Sequence, residues 1–144
     1  MRSLEEIADR LEIQELLVAY SHAIDFRRWD ELDDVFTPDA FIDYTAMGGP
    51  KGSYPEIKAF LVQTLPIFAS YYHLIGTSKV DLDGDTATGV TLCHNPMVIG
   101  EGEAEHVFVC GLWYHDRFVR TAGGWRIRER VEEKTYVKDA PRLG

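Results

Sequence analysis

An α+β fold is predicted by three features of this 144-residue sequence. Helical spacing of apolar residues is confined to the first half. Strand-like runs rich in Thr, Val, Leu and aromatics fill the second half, after Tyr71. No linker, internal repeat or low-complexity tract separates the two regimes, so one domain spans residues 1–144. Helices followed by strands argue for helices laid on one face of a curved antiparallel sheet. A concave apolar sheet face of that kind is a natural pocket.

Ser3-Leu4-Glu5-Glu6 is a Ser-x-x-Glu capping box that starts a helix. Ile13, Leu16, Leu17, Tyr20 and Ile24 then recur at helical spacing, which predicts a first helix from about Ser3 to Ala23. A second helix is expected over Trp29–Phe36, ended by Thr37-Pro38-Asp39, with a short strand at Ala40–Tyr44. Met47–Gly52 is a glycine-rich loop. A third helix begins at Ser53 or Tyr54, carries Pro55 in its first turn, and runs to about Ser70, with Pro66 expected to kink or shorten it. Four strands follow as a meander: His73–Leu82, Thr86–Val98, Ala104–Arg120 and Trp125–Val137. Asp83-Gly84-Asp85 and Thr121–Gly124 supply tight turns. Alternation in the last strand sets Trp125, Ile127, Glu129 and Val131 against Arg126, Arg128 and Arg130, which are expected on a solvated or oligomer-facing surface.

The net charge of −9 argues against a nucleic-acid partner and against an anionic membrane surface. No apolar run approaches the ~20 residues of a membrane span, and the N-terminus has no signal-peptide core, so a cytoplasmic location is expected. Cys93 and Cys110 lie in apolar runs without Cys-x-x-Cys spacing and are expected as buried free thiols. No two-His-plus-carboxylate spacing recurs, so no metal site is expected, and there is no phosphate-binding glycine loop.

Asp25 and His73 are the candidates for chemistry, because a carboxylate that holds an imidazole in one tautomer makes it a competent general base. Asp25 equally suits a helix-end turn, and His73 equally suits a satisfied core position. Tyr20 lies on the apolar face of the first helix. It sits five residues, about 140° of helical rotation, from Asp25, so the two are expected to converge only if the helix ends between them. His94 shares a strand face with Leu92, on a pocket wall or at a strand-end surface. Phe60, Phe68, Leu92, Phe108, Leu112 and Trp113 are expected to line the wall. His22, His106 and His115 have no evident partner for chemistry.

Three segments carry a resemblance over nearly the whole chain: Ile7–Leu16, Trp29–Ala40 and Gly124-Trp125-Arg126-Ile127. They resemble the SnoaL-like branch of the nuclear transport factor 2-like superfamily. The resemblance implies a cone-shaped sheet with three N-terminal helices around a deep cavity, a cystatin-like roll. Within the branch the sequence is similar to the group of scytalone dehydratase, bile-acid 7-alpha-dehydratase and hexachlorocyclohexane dehydrochlorinase. Those enzymes carry an Asp after the first helix and a His opening the first long strand, the places of Asp25 and His73. Tyr20 matches a Tyr of the bile-acid enzyme, where the dehydrochlorinase has Lys. Arg120 matches an Arg of the dehydrochlorinase if one extra residue is allowed in the following turn, and His94 matches a second His of scytalone dehydratase.

The resemblance implies a cofactor-free lyase that eliminates water from a small hydrophobic cyclic substrate. His73, Asp25 and Tyr20 would be catalytic, and His94, Arg120, Leu92, Phe68, Phe108 and Trp113 would bind substrate. An isomerase or cyclase using the same base, or a non-catalytic binder of small ligands, are the alternatives, because this fold hosts several functions. A homo-oligomer is implied, with a trimer preferred over a dimer.

Overall fold

The computed structural model describes residues 1–142. Helix α1 spans Leu4–Asp25 and is capped by Ser3, whose hydroxyl accepts from the Glu6 backbone N–H at 3.1 Å. It ends in a Schellman-type turn: Arg28 N–H donates to the Ala23 carbonyl, and Arg27 takes a left-handed conformation at φ 57°. The turn releases the chain sharply and leaves Asp25 as the last helical residue.

The expected second helix is a single 3₁₀ segment, Trp29–Asp34, and strand β1 already begins at Phe36 and runs to Asp43. Pro38 does not break that strand. The ladder between β1 and the last strand is interrupted between Phe36 and Phe41, so the missing proline N–H is not needed there. A short strand β2, Lys51–Ser53, precedes helix α2, Tyr54–Thr64, and Pro66 lies in a 3₁₀ turn at Leu65–Ile67. The remaining strands are β3 (Ser70–Tyr71), β4 (Leu74–Asp83), β5 (Thr86–Ile99), β6 (His106–Thr121) and β7 (Gly124–Lys138).

One sheet holds them in the order β2-β1-β7-β6-β5-β3, with β4 also paired to β5. It is mixed rather than purely antiparallel, because β1 runs parallel to β7. Helix α1 packs against β4 and β7, and α2 packs against β1. Ile13, Leu17, Tyr20, Ile24, Phe118 and Trp125 are fully buried where these layers meet. None of the helices is long and apolar enough to cross a membrane, among the described residues.

An irregularity in β7 decides which of its side chains face inward at the site. The β6–β7 register slips between Arg117 and Phe118, which pair with Glu129 and Ile127, so Arg128 is an extra residue in β7. A bulge of one residue flips every later side chain to the other face. Trp125 and Ile127 therefore point inward before it, and Arg130 and Glu132 after it. Arg130 is consequently not on a solvated edge; it is fully buried.

Candidate active site

A cavity of about 610 Å³ opens between the helices and the concave face of the sheet. Its lining includes Tyr20 and Ile24 from α1, Phe60 and Leu61 from α2, His73, and Asn95, Phe108, Tyr114 and Glu132 from the long strands. The wall is mainly apolar, with a polar cluster at one end. That is the usual construction of a small-molecule site.

His73 and Asp25 meet on this wall. His73 Nδ1 lies 2.6 Å from Asp25 Oδ1, and the His73 backbone N–H donates to Asp25 Oδ2 at 2.9 Å. Both oxygens of one carboxylate thus hold one residue. The carboxylate accepts the Nδ1 proton, so Nε2 is the basic nitrogen of the ring. The two side chains are 9% and 15% exposed, dry enough to hold this geometry and open enough to reach an occupant. The strand start is held too: Asn95 Nδ2 donates to the Tyr72 carbonyl at 2.8 Å.

Tyr20 stands beside this pair, its ring edge-on to His73 at 6.2 Å between centroids. The helix does not end between Tyr20 and Asp25. Tyr20 approaches His73 from the helix face while Asp25 reaches it from the helix end. The Tyr20 and Tyr44 hydroxyls share a hydrogen bond at 2.5 Å. Burial pushes the Tyr20 phenol up to about 12 despite the opposing pull of the Arg130 charge, so it stays protonated at neutral pH. Burial likewise raises the Tyr44 and Tyr114 phenols.

Beneath the tyrosines lies a buried ion pair. Arg130 donates from Nε and Nη2 to the two oxygens of Asp116, each at 2.8 Å. Its guanidinium lies 4.2 Å from the Tyr20 ring centroid and 3.9 Å from that of Tyr114. Burial works against the arginine's charge, and Asp116 more than restores it. The charge is thereby sandwiched between two cavity-wall phenols.

Glu132 is the remaining ionisable group of the polar end. Burial lifts its carboxyl to about 8, with Arg130 opposing and Asp43 reinforcing the rise. Its side chain accepts no hydrogen bond from any described residue.

The expected binding residues divide by strand phase. Phe68 and Phe108 line the cavity and their rings meet at 5.9 Å. Leu92, His94 and Trp113 do not line it. On β5 the buried residues are Ala87, Gly89, Thr91, Cys93, Asn95 and Met97, so Leu92 and His94 fall on the outer face, and Trp113 pairs with Leu92 there. Leu112 is buried in the core rather than exposed to the cavity. Arg120 does not line the cavity. It forks onto Asp9 at 2.7 and 2.8 Å, bonds Asp85, and covers the Trp125 ring, which makes it a clasp between α1 and the β6–β7 turn. Tyr44, Tyr114, Asn95 and Glu132 were not legible as site residues in the sequence. A signal existed only for Asn95, a polar residue alternating with Cys93 and Met97.

Cys93 is a buried free thiol and Cys110 a half-buried one in the cavity wall. Among the described residues, no three or more His, Cys, Asp or Glu side chains gather as a metal site.

Residues 5–131 match the family model of a SnoaL-like domain. An uncharacterized protein of Mycobacterium tuberculosis is 57% identical over 138 residues, which cover 96% of this chain and 93% of that one. The crystal structure of a protein from Kribbella flavida superposes with a TM-score of 0.85 at 25% identity, covering 93% and 95% of the two chains. A hexachlorocyclohexane dehydrochlorinase from Novosphingobium barchaimii superposes with a TM-score of 0.80 at 20% identity, covering 97% and 95%. A candidate scytalone dehydratase from Novosphingobium aromaticivorans superposes with a TM-score of 0.82 at 17% identity, covering 94% and 90%. The last two likenesses are of fold alone.

Proposed function

This chain belongs to the SnoaL-like domain family, and from that membership and the Asp25–His73 geometry we propose that it is a lyase. The reaction is β-elimination of water from a small, largely apolar cyclic substrate, with no cofactor required. Asp25 holds the His73 Nδ1 proton and steadies the imidazolium as it forms. His73 Nε2 removes a C–H proton activated by a neighbouring carbonyl. The protonated Tyr20–Tyr44 pair donates to that carbonyl as negative charge develops on its oxygen, and the apolar wall of Phe60, Phe68 and Phe108 excludes water.

The observation that carries the reading is the two-point clamp of Asp25 on His73, which fixes one tautomer on a residue that lines the cavity and leaves Nε2 without a hydrogen-bond partner among the described residues. The test uses a small ring with an acidic C–H and a β-hydroxyl, 3-hydroxycyclohexanone, whose dehydration gives an ultraviolet-absorbing enone. Wild-type protein is expected to form enone, and His73→Ala to lose about 10²–10⁴-fold in kcat/KM. Deuterium uptake from solvent without loss of water would replace elimination by isomerisation at the same base.

A further inference from the structure

The Asp25–His73 pair provides a base, but loss of hydroxide also needs a proton for the leaving oxygen. An imidazolium held at Nδ1 by Asp25 keeps the proton it gains at the carbon end of the bond being broken, and a second acid at the oxygen end lets the carbon–oxygen bond break without that proton being handed back. Tyr20 is poorly suited, since its hydroxyl is shared with Tyr44 and its phenol stays protonated to about 12. The polar end of the cavity holds one other group of suitable chemistry. Glu132 pairs with Tyr114 across β6 and β7, Tyr114 packs edge-on against Tyr20 at 5.7 Å, and Tyr20 packs edge-on against His73. His73 and Glu132 therefore flank the two phenols on one cavity wall. The Glu132 carboxyl has no hydrogen-bond partner among the described residues and lines the cavity. A carboxyl left without a partner in a largely apolar site is suited to receive a group brought by the occupant.

We infer that Glu132 is the proton donor of the site: its carboxyl hydrogen-bonds the leaving hydroxyl and protonates it as the carbon–oxygen bond breaks. The inference rests on the elimination reading. His73 Nε2 takes the C–H proton, the C–H pair becomes the new C=C bond, the C–O pair goes to oxygen, and the Glu132 proton completes a water molecule. The site is then imidazolium and carboxylate, and one proton passed from His73 to Glu132 through solvent resets it. The charges within reach favour a carboxyl that starts neutral. Arg130 is committed to Asp116, Asp43 adds negative charge, and Tyr20, Tyr44, Tyr114, Cys93 and Cys110 surround the group as neutral acids; Lys134 lies further along β7 at the cavity rim.

Two leaving groups test it. On 3-hydroxycyclohexanone, Glu132→Gln is expected to lose about 10²-fold or more in kcat/KM. On 3-acetoxycyclohexanone, where acetate departs as an anion, the same variant is expected to stay within about threefold, while His73→Ala loses both reactions. Equal losses by Glu132→Gln on the two compounds, or none on the alcohol, overturn the inference and leave the base intact. Undiminished turnover by His73→Ala overturns the base reading instead. Titration of the ¹³C-labelled Glu132 carboxyl, assigned by its absence in Glu132→Gln, gives a readout independent of substrate. A midpoint near 8 supports the donor, and one in the ordinary glutamate range overturns it.

Discussion

Replacing Glu132 by Gln should stabilise the folded chain, and increasingly so as the pH rises. The folded carboxyl titrates at about 8, against 4.5 for a solvated glutamate. The folded state thus holds the proton more tightly than the unfolded state. Its stability is full below pH about 4.5 and declines as the pH rises through about 8. At about 1.4 kcal/mol per pH unit over the interval from 4.5, the wild type gives up roughly 3 kcal/mol at pH 7 and roughly 5 kcal/mol above pH 8. Glutamine keeps the shape, leaves no partner orphaned, since none is present, and does not titrate. Guanidinium unfolding at pH 5, 7 and 9 measures the difference directly. The variant should gain about 1 kcal/mol at pH 5 and about 4 kcal/mol more at pH 9. A gain that is the same at both ends, or a loss that grows with pH, refutes the assignment of a half-buried, neutral carboxyl. It would also show that Glu132 is solvated or paired.

The buried pair beneath the phenols gives a second expectation. Asp116→Ala leaves the fully buried Arg130 without its counter-charge and should cost about 3–5 kcal/mol in the same unfolding assay. A cost below about 1 kcal/mol would show that the guanidinium finds water. Ser3→Ala removes the cap on Glu6 and should cost about 1 kcal/mol, read as a small drop in Tm. An unchanged Tm would mean that the first turn of α1 frays already. A trimer is expected by light scattering, with the outer face of Leu92 and Trp113 as its contact; a monomer at micromolar concentration would contradict it.

The elements that were legible in the sequence are those whose signals are local. The capping box and the spacing from Ile13 to Ile24 place α1 within two residues of its ends, and the glycine-bearing turns place β4 to β7. The errors come from interactions between distant strands. Pro38 reads as a helix stop, but pairing between β1 and β7 recruits it into a strand at the point where the ladder is broken. Arg130 reads as exposed from simple alternation, and one extra residue at Arg128 reverses the phase. Leu92 reads as pocket wall because the outer face of β5 is apolar too, so hydrophobicity carries no information about which face is inside. The inner face is built of small residues instead: a Cβ on Gly89 would lie 2.8 Å from the Phe118 ring. Asp25 and His73 are paired from the sequence only through the family layout, an Asp after the first helix and a His opening the first long strand, and both places lie at element ends that a bulge does not displace. Tyr44, Tyr114 and Glu132 lie on the cavity wall only through the sheet's registers, which the sequence does not state.

In the proposed reaction His73, held by Asp25, removes a proton from the occupant of this cavity. The most direct test of this step is the rate of enone formation from 3-hydroxycyclohexanone by wild type, His73→Ala and Asp25→Asn, with Tm recorded for each. A loss of about 10²–10⁴-fold is expected for His73→Ala at nearly unchanged Tm, and a substantial loss for Asp25→Asn. Undiminished turnover by a folded His73→Ala protein would contradict it.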